Sequence, residues 1–340
     1  MSSTGNSTGN KPIRPSTGAA HSRLFSVGGY RPARVVTNDE ICEHIDSTDE
    51  WIRTRSGIAT RRFALPEETI QDLSVAAGGK AIAAAGISPE QIGAVMVASC
   101  TVTNPIPAAA PEVASRLGAV NSAAFDINIA CAGFCHGVAL GSDMIRAGSA
   151  EYVLVIGTEK FTSIIDKTDR GIAFIFGDGS GAAVLGPSEV PGIGPVVWGA
   201  DGARASAIEM NGDWVDKATA GERAFLRMNG QQVFRWAAYE MAPVARRAVE
   251  VAGLTLDDLD AFIPHQANMR ITDAMVRALK LPAHVAIARD IVDMGNTSAA
   301  SVPLAMETML ERGEIASGST ALLVGFGAGL SFAAQVVTIP

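Results

Sequence analysis

Short runs of apolar residues alternate with longer segments of helical periodicity along most of this chain. Residues 92–98, 152–157 and 321–325 are apolar runs of the kind that form strands buried on both faces of a sheet. Between the first two runs, residues 134–145 place apolar or small side chains about one helical turn apart, and Gly148 supplies a stop signal. This alternation predicts an α/β fold with parallel strands covered by helices.

The predicted elements occur twice in the same order. Three pairs of segments match at offsets of 167, 165 and 168 residues, namely 84–98 with 251–265, 144–148 with 309–313, and 152–157 with 321–325. Offsets that agree this closely over three elements are difficult to obtain by chance. We therefore predict two similar α/β halves, residues 23–192 and 193–340, related by a pseudo-twofold axis.

The first 22 residues differ from the rest of the chain in composition. The sequence Ser-Thr-Gly-Asn occupies residues 3–6 and is repeated at residues 7–10. Such a polar, low-complexity segment cannot bury a core, so we predict a flexible tail. It has no apolar central stretch and is therefore not a secretory signal.

Composition and charge exclude several classes of protein. The 340 residues are 48% hydrophobic and 18% charged, and the formal net charge of −8 argues against a general nucleic-acid binder. Because no apolar run approaches the length of a membrane span, we expect no membrane insertion. The four cysteines do not suggest a disulfide framework, which fits a reducing cytoplasm. Cys131, Cys135 and His136 lack the second pair of ligands of a structural zinc site, so we expect no metal.

Cys131 lies where an apolar, strand-like run ends and the helical segment at residues 134–145 begins. A thiol at a helix start faces unpaired backbone N–H groups and the positive end of the helix dipole, which favour the thiolate. Cys131 is therefore a candidate nucleophile. The alternative interpretation is a small buried residue, since free cysteine is common in protein cores.

Two polar residues of the second half are candidates for the same site. His265 directly follows an apolar strand, and Asn296 precedes a predicted helix that ends near Gly313. The 165-residue offset places Asn296 at the position equivalent to Cys131, so we expect all three side chains at the carboxyl ends of strands, around one pocket. Each residue alone has an ordinary alternative interpretation: His265 could be a polar residue whose hydrogen bonds are satisfied, and Asn296 could belong to a helix cap.

Three segments around these residues resemble β-ketoacyl-acyl carrier protein synthase III, the condensing enzyme that initiates type II fatty acid synthesis. They are residues 126–134, 264–270 and 295–301, and further similarity is found at residues 46–51, 169–171 and 176–183. The resemblance covers residues 24–340 and is strongest to actinobacterial members. It implies a thiolase-like fold, in which two duplicated α/β halves form a layered αβαβα arrangement.

The resemblance also implies a mechanism. Cys131 would attack an acyl-CoA primer to form an acyl-enzyme, and malonyl-acyl carrier protein would then lose carbon dioxide and attack that acyl group. His265 and Asn296 would hydrogen-bond the enolate of the malonyl thioester. The backbone N–H groups of Cys131 and Ala328 would form the oxyanion hole, although the family usually has glycine at the position of Ala328. No cofactor is implied.

Substrate contacts follow from the same resemblance. Trp51 and Arg170 would sandwich the adenine of CoA, and Arg55 and Asn268 would contact the same substrate. Arg270 corresponds to a family arginine that helps to dock the acidic carrier protein. Exposed arginines are common, so a simple surface charge is the alternative interpretation for each arginine.

Arg235 falls on a predicted helix at residues 231–252 and, together with Arg270, would form a basic patch for the acidic carrier protein.

Ile106 lies in a proline-containing loop that, in the family, reaches a homodimer interface and closes the acyl pocket of the neighbouring subunit. Some relatives have phenylalanine at the position of Ile106. The smaller isoleucine should leave a deeper acyl pocket, which favours primers longer than acetyl, or branched ones. Phe326 would shape the surroundings of the thiol, with ordinary core packing as its alternative.

Other functions remain open at this point. A polyketide starter ketosynthase of the same fold would share the Cys, His and Asn residues. A biosynthetic thiolase would typically have a second cysteine where this chain has His or Asn. An inactive scaffold that binds acyl carrier protein would not need Cys131, His265 and Asn296 together. A cysteine hydrolase would release free acid without a malonyl substrate.

Overall fold

Two five-stranded sheets form the centre of the protein in the computed structural model, which describes residues 13–340. The strands are β1 (His21–Tyr30), β2 (Arg34–Thr37), β3 (Thr60–Phe63), β4 (Ile92–Ala98), β5 (Ala123–Ile127), β6 (Tyr152–Glu159), β7 (Gly179–Ser188), β8 (Val197–Ala200), β9 (Ile208–Met210), β10 (Leu226–Met228), β11 (Ala261–Pro264), β12 (Ala286–Ile287), β13 (Thr320–Gly327) and β14 (Ser331–Thr338).

The helices connect these strands in βα alternation over most of the chain. They are α1 (Asn38–Cys42), α2 (Asp49–Ser56), α3 (Ile70–Ala85), α4 (Ala109–Leu117), α5 (Gly133–Ala147), α6 (Trp214–Thr219), α7 (Gly230–Val251), α8 (Met269–Leu279), α9 (Ile291–Met294) and α10 (Ser301–Glu311). Short 3-10 turns precede α5 at Ala130–Ala132 and α10 at Ser298–Ala300. No helix of the described residues has the length and apolar character needed to cross a bilayer.

Both sheets have the same strand order. The first runs β5-β4-β6-β7-β1 and the second runs β12-β11-β13-β14-β8. In each sheet the first three strands are parallel and the fourth is antiparallel to the third. The segment between β7 and β8 separates the two sheets along the chain, and the predicted division between residues 192 and 193 falls there.

Helices form three layers around the two sheets, which gives the αβαβα architecture of a thiolase-like fold. α5 and α10 lie between the sheets, where Phe134 and Met306 share one core with Val155 of β6 and Leu323 of β13. α3 and α4 cover the outer face of the first sheet, and α7 and α8 cover the outer face of the second. The buried middle layer explains why α5 is rich in small residues.

The predicted tail at residues 1–22 overlaps the first strand. Residues 1–12 of the predicted tail lie outside the described residues, and β1 begins at His21, two residues before the predicted boundary. The backbone N–H of Ala19 also donates a hydrogen bond to the carbonyl of Ile145 at 3.3 Å. Ala19, within the predicted tail, is therefore in contact with α5.

Candidate active site

A cavity of about 840 Å³ opens at the carboxyl ends of the parallel strands, and Cys131, His265 and Asn296 all line it. The two sheets contribute to it from opposite sides, as the predicted pseudo-twofold arrangement requires. Several other predicted site residues also line this cavity, namely Trp51, Arg55, Arg235, Asn268, Arg270, Phe326 and Ala328. Arg170 and Ile106 are the two predicted residues that do not.

Cys131 lies in the middle of the 3-10 turn that joins β5 to α5. The turn requires Ala130 to adopt a left-handed backbone conformation, with φ of 43°, which is rare for a residue with a side chain. The end of β13 packs closely against the thiol, since a Cβ atom on Gly327 would lie 2.7 Å from the Cβ of Cys131. Only glycine leaves room for the cysteine side chain at this contact.

The pKa of Cys131 differs from the sequence-based expectation. Burial raises the pKa of the thiol to about 12, and the charge of Glu159 acts in the same direction. A hydrogen bond from the Ser298 side chain lowers it in part. This direction runs against the expectation that the site favours the thiolate. The helix α5 begins two residues after Cys131, so the thiol lies before the helix start rather than on it.

His265 follows β11 directly and is held as a neutral imidazole. Its Nδ1 lies 2.7 Å from the hydroxyl oxygen of Ser301, which also accepts a hydrogen bond from the Gln266 backbone N–H at 3.2 Å. Among the described residues Ser301 has no other acceptor, so we assign its O–H as donor to Nδ1 and the ring proton to Nε2. Burial lowers the pKa of His265 to about 3, which keeps the ring uncharged.

Asn296 presents its amide nitrogen to the cavity. Its Oδ1 accepts a hydrogen bond from the Ser298 backbone N–H at 2.8 Å, which fixes the orientation of the carboxamide. Its own backbone pairs with the segment around Phe176, as the N–H donates to Ile175 O and the carbonyl accepts from Gly177 N. Within the described part of the chain no group accepts a hydrogen bond from Nδ2, so it can donate to a substrate in the cavity.

The predicted equivalence of Cys131 and Asn296 is wrong by three residues. The two 3-10 turns begin at residues 130 and 298, and both Ala130 and Ser298 have positive φ, 43° and 49°. This offset of 168 pairs Cys131 with Ala299, and the counterpart of Asn296 is Asn128. Asn296 also follows the short helix α9 rather than a strand, so only Cys131 and His265 lie near strand ends as predicted.

Sequence reasoning missed a buried carboxylate beside the nucleophile. Glu159, at the end of β6, has no exposed surface and accepts hydrogen bonds from the hydroxyls of Thr101 at 2.7 Å and Ser298 at 2.9 Å. The Cys100 backbone N–H and thiol also donate to it, at 3.1 and 3.3 Å. The available signal was a charged residue that ends an otherwise apolar strand.

The predicted CoA contacts cluster at the mouth of the cavity. The guanidinium of Arg170 lies over the indole of Trp51, with Cζ 4.8 Å from a ring centroid, and Arg55 lies 5.7 Å from the same ring. An adenine could enter between Trp51 and Arg170 only if the two side chains separate. Asn268 caps α8 and donates through Nδ2 to the Arg55 carbonyl at 3.1 Å, so it also supports this wall.

The remaining predicted residues occupy different environments. Arg270 and Arg235 are exposed at the cavity mouth, where the Arg270 guanidinium lies 5.4 Å from the Phe234 ring. Phe326 is buried and meets the His265 ring edge-on, with centroids 5.3 Å apart. Ile106 is 83% exposed.

Within residues 13–340, no three His, Cys, Asp or Glu side chains could hold a metal ion together.

Comparisons with known proteins identify the family of this chain. Two family models match, 3-oxoacyl-[acyl-carrier-protein] synthase III over residues 125–202 and the C-terminal part of the same family over residues 249–339. The chain is 54% identical to beta-ketoacyl-[acyl-carrier-protein] synthase III 1 of Streptomyces coelicolor, covering 96% of this chain and 99% of the relative. It is 55% identical to the synthase III of Mycobacteroides abscessus, covering 95% and 96%.

Solved structures of similar proteins have the same fold. The priming β-ketosynthase of the R1128 polyketide biosynthetic pathway superimposes with a TM-score of 0.94 at 47% identity, covering 97% of this chain and 99% of that one. The 3-oxoacyl-[acyl-carrier-protein] synthase III of Aquifex aeolicus gives a TM-score of 0.86 at 34% identity, covering 93% and 99%.

Proposed function

The chain belongs to the β-ketoacyl-acyl carrier protein synthase III family, and we propose that Cys131, His265 and Asn296 carry out its decarboxylative condensation. The family joins an acyl-CoA primer to malonyl-acyl carrier protein and so starts type II fatty acid synthesis. The observation that carries the assignment is the presence of a thiol, a neutral imidazole and an oriented amide in one cavity. These are the groups that the two half-reactions require.

In the first half-reaction the sulfur of Cys131 attacks the acyl-CoA thioester, and CoA leaves. The carbonyl oxygen becomes an oxyanion, which the backbone N–H groups of Cys131 and Ala328 would stabilise. Ala328 lies in the turn directly after Gly327, which supports this role because that turn packs on the nucleophile. Trp51 and Arg170 would stack on the adenine, with Arg55 and Asn268 beside them.

In the second half-reaction His265 and Asn296 stabilise the negative charge that develops when malonyl-acyl carrier protein loses carbon dioxide. The Nε2–H of His265 and the Nδ2–H of Asn296 would donate to the thioester carbonyl, which becomes an enolate. The resulting carbanion attacks the acyl group on Cys131, and the cysteine sulfur leaves. We propose that no cofactor takes part, because the two thioesters supply the leaving groups and decarboxylation supplies the nucleophile.

The substitutions His265→Ala and Asn296→Ala test this division of roles. Each removes one donor to the enolate, so carbon dioxide release from malonyl-acyl carrier protein should fall about 10²–10³-fold, or about 2.7–4 kcal/mol of barrier. Transfer of an acyl group from acyl-CoA to Cys131 should remain measurable by mass spectrometry. The two half-reactions are measured separately on the same enzyme preparation.

His136→Ala is the matched control, because His136 is half-buried on α5 and stacks on Trp198 outside the cavity. Both half-reactions of this variant should resemble those of the unchanged protein. Equal losses of acyl transfer and decarboxylation in the His265 and Asn296 variants would contradict the assignment.

The remaining recognition roles are part of the same proposal. Arg270 and Arg235 give the cavity mouth a local positive charge on a chain of net charge −8, which suits docking of an acidic carrier protein. Phe326 would border the reacting sulfur, and Ile106 would lie in the acyl pocket of a neighbouring subunit. The small Ile106 side chain favours primers longer than acetyl, or branched ones.

We also propose a homodimer located in the cytoplasm. Among residues 13–340, β5 pairs only with β4 and leaves its other edge open, and Phe125 on this strand is 36% exposed. An open, partly apolar edge can pair with a second copy of the same strand. Sedimentation equilibrium at micromolar concentration measures the mass directly, and a monomer would contradict the dimer.

A priming role in a polyketide pathway is the second candidate function. The similarity to the R1128 priming β-ketosynthase at 47% identity favours it. Both candidates use the same half-reactions, so the chemistry does not separate them. Turnover with acyl carrier proteins from fatty acid and polyketide systems, each with a panel of acyl-CoA primers, would distinguish the two.

A further inference from the structure

Arg61 lies on β3 and is fully buried, although it carries a charge. Burial lowers its pKa to about 10, which still leaves the guanidinium protonated at neutral pH. Its hydrogen-bond acceptors within residues 13–340 are neutral oxygen atoms, and its Nε has no acceptor there. A buried charge without an ion pair is costly, and a neutral side chain would fill the same space at lower cost. The contacts of the guanidinium therefore need an explanation beyond packing.

The guanidinium joins three segments that are distant in the sequence. Its Nη1 donates to the carbonyl of Val36 on β2 at 3.3 Å. Its Nη2 donates to Oδ1 of Asn38 at 2.7 Å and to the carbonyl of Phe174 at 2.8 Å. The planar fork of arginine satisfies several acceptors in fixed directions, which a single ammonium group does not. Phe174 lines the cavity, so one of the three segments is part of the cavity wall.

The wall at Phe174 also holds the backbone of Asn296. The Asn296 N–H donates to the carbonyl of Ile175 at 2.8 Å, and its carbonyl accepts from the Gly177 N–H at 3.0 Å. Asn296 therefore pairs with the segment that begins at the acceptor of Arg61. A shift of this segment would carry the carboxamide of Asn296 with it.

The stem of Arg61 packs against both partners of this pairing. A Cβ atom on Gly177 would lie 3.3 Å from the Cβ of Arg61, and one on Gly295 would lie 3.1 Å from it. Gly295 directly precedes Asn296 and has φ of 64°, a conformation that favours glycine. The stem of Arg61 thus lies against the backbone that carries Asn296, while its head group holds Phe174.

A second route leads from Arg61 to the predicted adenine contact. Asn38, whose Oδ1 accepts from Arg61, donates through Nδ2 to Oδ1 of Asp49 at 2.7 Å. Asp49 is the first residue of α2, and Trp51 lies in the same helical turn. The ring of Trp51 in turn meets Phe174 edge-on, with centroids 5.3 Å apart. The contacts therefore form a closed circuit through Arg61.

We propose that Arg61 is a positioning residue, which holds the backbone of Asn296 and the helix of Trp51 in a fixed relation to one cavity wall. The inference rests on the proposed function, in which Asn296 donates to the enolate and Trp51 stacks on the adenine of CoA. Within the described chain, no hydrogen bond of Arg61 reaches Cys131 or His265. Arg61 therefore serves carbon dioxide release and CoA binding, and not the attack of the sulfur.

The substitution Arg61→Met tests this role, because methionine fills much of the same space but donates no hydrogen bond. Carbon dioxide release from malonyl-acyl carrier protein should fall by up to about 10²-fold, the usual effect of a displacement near 1 Å. The acyl-CoA concentration that gives half-maximal acylation of Cys131 should rise by up to about tenfold, since Trp51 loses support. The maximal rate of acylation, measured in a single turnover by mass spectrometry, should stay near that of the unchanged protein.

Two further variants carry the test if Arg61→Met does not fold. Arg61→Lys keeps the charge and can reach some of the acceptors, so it should recover part of the carbon dioxide release. Asn38→Ala breaks the connection to α2 and leaves the contact with Phe174 in place. It should raise the acyl-CoA requirement and leave carbon dioxide release nearly intact.

Arg62→Met is the matched control. Arg62 is the next residue of β3, is half-buried, and donates through Nη1 to the carbonyls of Pro32 at 3.4 Å and Ala33 at 3.2 Å. Its guanidinium makes these contacts away from the cavity wall, so both half-reactions should resemble those of the unchanged protein. Thermal unfolding of each variant shows how far the change destabilises the fold as a whole.

Unchanged carbon dioxide release in Arg61→Met, an equal loss of maximal acylation and decarboxylation, no recovery in Arg61→Lys, or an equal loss in Arg62→Met would overturn the proposal. If the unchanged protein releases no carbon dioxide from malonyl-acyl carrier protein, the proposed function itself fails, which is a different result.

Discussion

The strands β6 and β13 occupy equivalent places in the two halves but end in opposite ways. Both are eight residues long, they begin at residues 152 and 320, and the end of each packs on the 3-10 turn of the other half. β6 ends in Glu159, which hydrogen-bonds Ser298. β13 ends in Gly327, which has no side chain and lies against Cys131. The contact between a strand end and the 3-10 turn of the other half therefore involves a buried carboxyl group at the end of β6 and no side chain at the end of β13.

This difference separates the two kinds of chemistry that one cavity needs. In the proposed roles, the first half contributes the sulfur that donates an electron pair, and Gly327 at the end of β13 leaves room for it. The second half contributes the side chains proposed as hydrogen-bond donors: the Ser298 backbone N–H orients Asn296, and the Ser301 hydroxyl orients His265. The two halves of a duplicated fold can supply different functional groups because a change at one strand end affects mainly the turn of the opposite half.

The largest loss of acyl transfer is expected when the 3-10 turn at residues 130–132 receives a residue from the equivalent turn at residues 298–300. Cys131→Ala copies Ala299 into the equivalent position and removes the proposed nucleophile. Acyl transfer from acyl-CoA should fall by about 10⁴-fold or more, as for other nucleophile deletions. Carbon dioxide release from malonyl-acyl carrier protein should continue, because the donors belong to the other half.

Mass spectrometry of the acyl-enzyme and a carbon dioxide assay check both outcomes. Cys135→Ala is the control, since Cys135 is buried one helical turn further along α5 and outside the cavity. Acylation of the Cys131→Ala protein at another residue would show that the nucleophile was assigned incorrectly.

A smaller loss of acyl transfer is expected when Gly327, at the end of β13, receives a side chain. In Gly327→Ala the new Cβ would lie 2.7 Å from the Cβ and 2.9 Å from the Sγ of Cys131, so the thiol must move. A displacement near 1 Å commonly lowers a rate about 10²-fold, and acyl transfer should fall by that factor. The backbone conformation itself is extended and does not forbid alanine.

Gly79→Ala provides the comparison for Gly327→Ala. The added methyl there meets only Leu117, at an ordinary 3.7 Å, on the outer face of the first sheet. Thermal unfolding of both variants shows whether either change destabilises the protein. Full acyl transfer in Gly327→Ala would mean that the strand end does not define the space for the thiol.

The sequence was sufficient for the architecture because apolar runs and their repeat depend only on which residues must be buried. The placement of Cys131 and His265 near strand ends was predictable for the same reason, since both follow apolar strands. The equivalence of Cys131 with Asn296 was wrong because the 165-residue offset came from a helix end, where the two halves differ in length. The raised pKa of Cys131 and the contact between Glu159 and Ser298 depend on dehydration and on packing between the two halves, which local patterns do not contain.

The smallest effect is expected at Ser301, where the first half has Gly133 at the equivalent position. Ser301→Ala removes the hydroxyl that donates to Nδ1 of His265, so the ring can place its proton on either nitrogen. Loss of one hydrogen bond of about 0.5–1.5 kcal/mol should slow carbon dioxide release up to about tenfold. Acyl transfer to Cys131 should stay near its original rate. Thr308→Val, which removes another buried hydroxyl from α10, should leave both rates intact. If Ser301→Ala slowed acyl transfer as much as decarboxylation, the hydroxyl would support the whole cavity rather than the imidazole, and the division between the halves would be weaker than the two strand ends suggest.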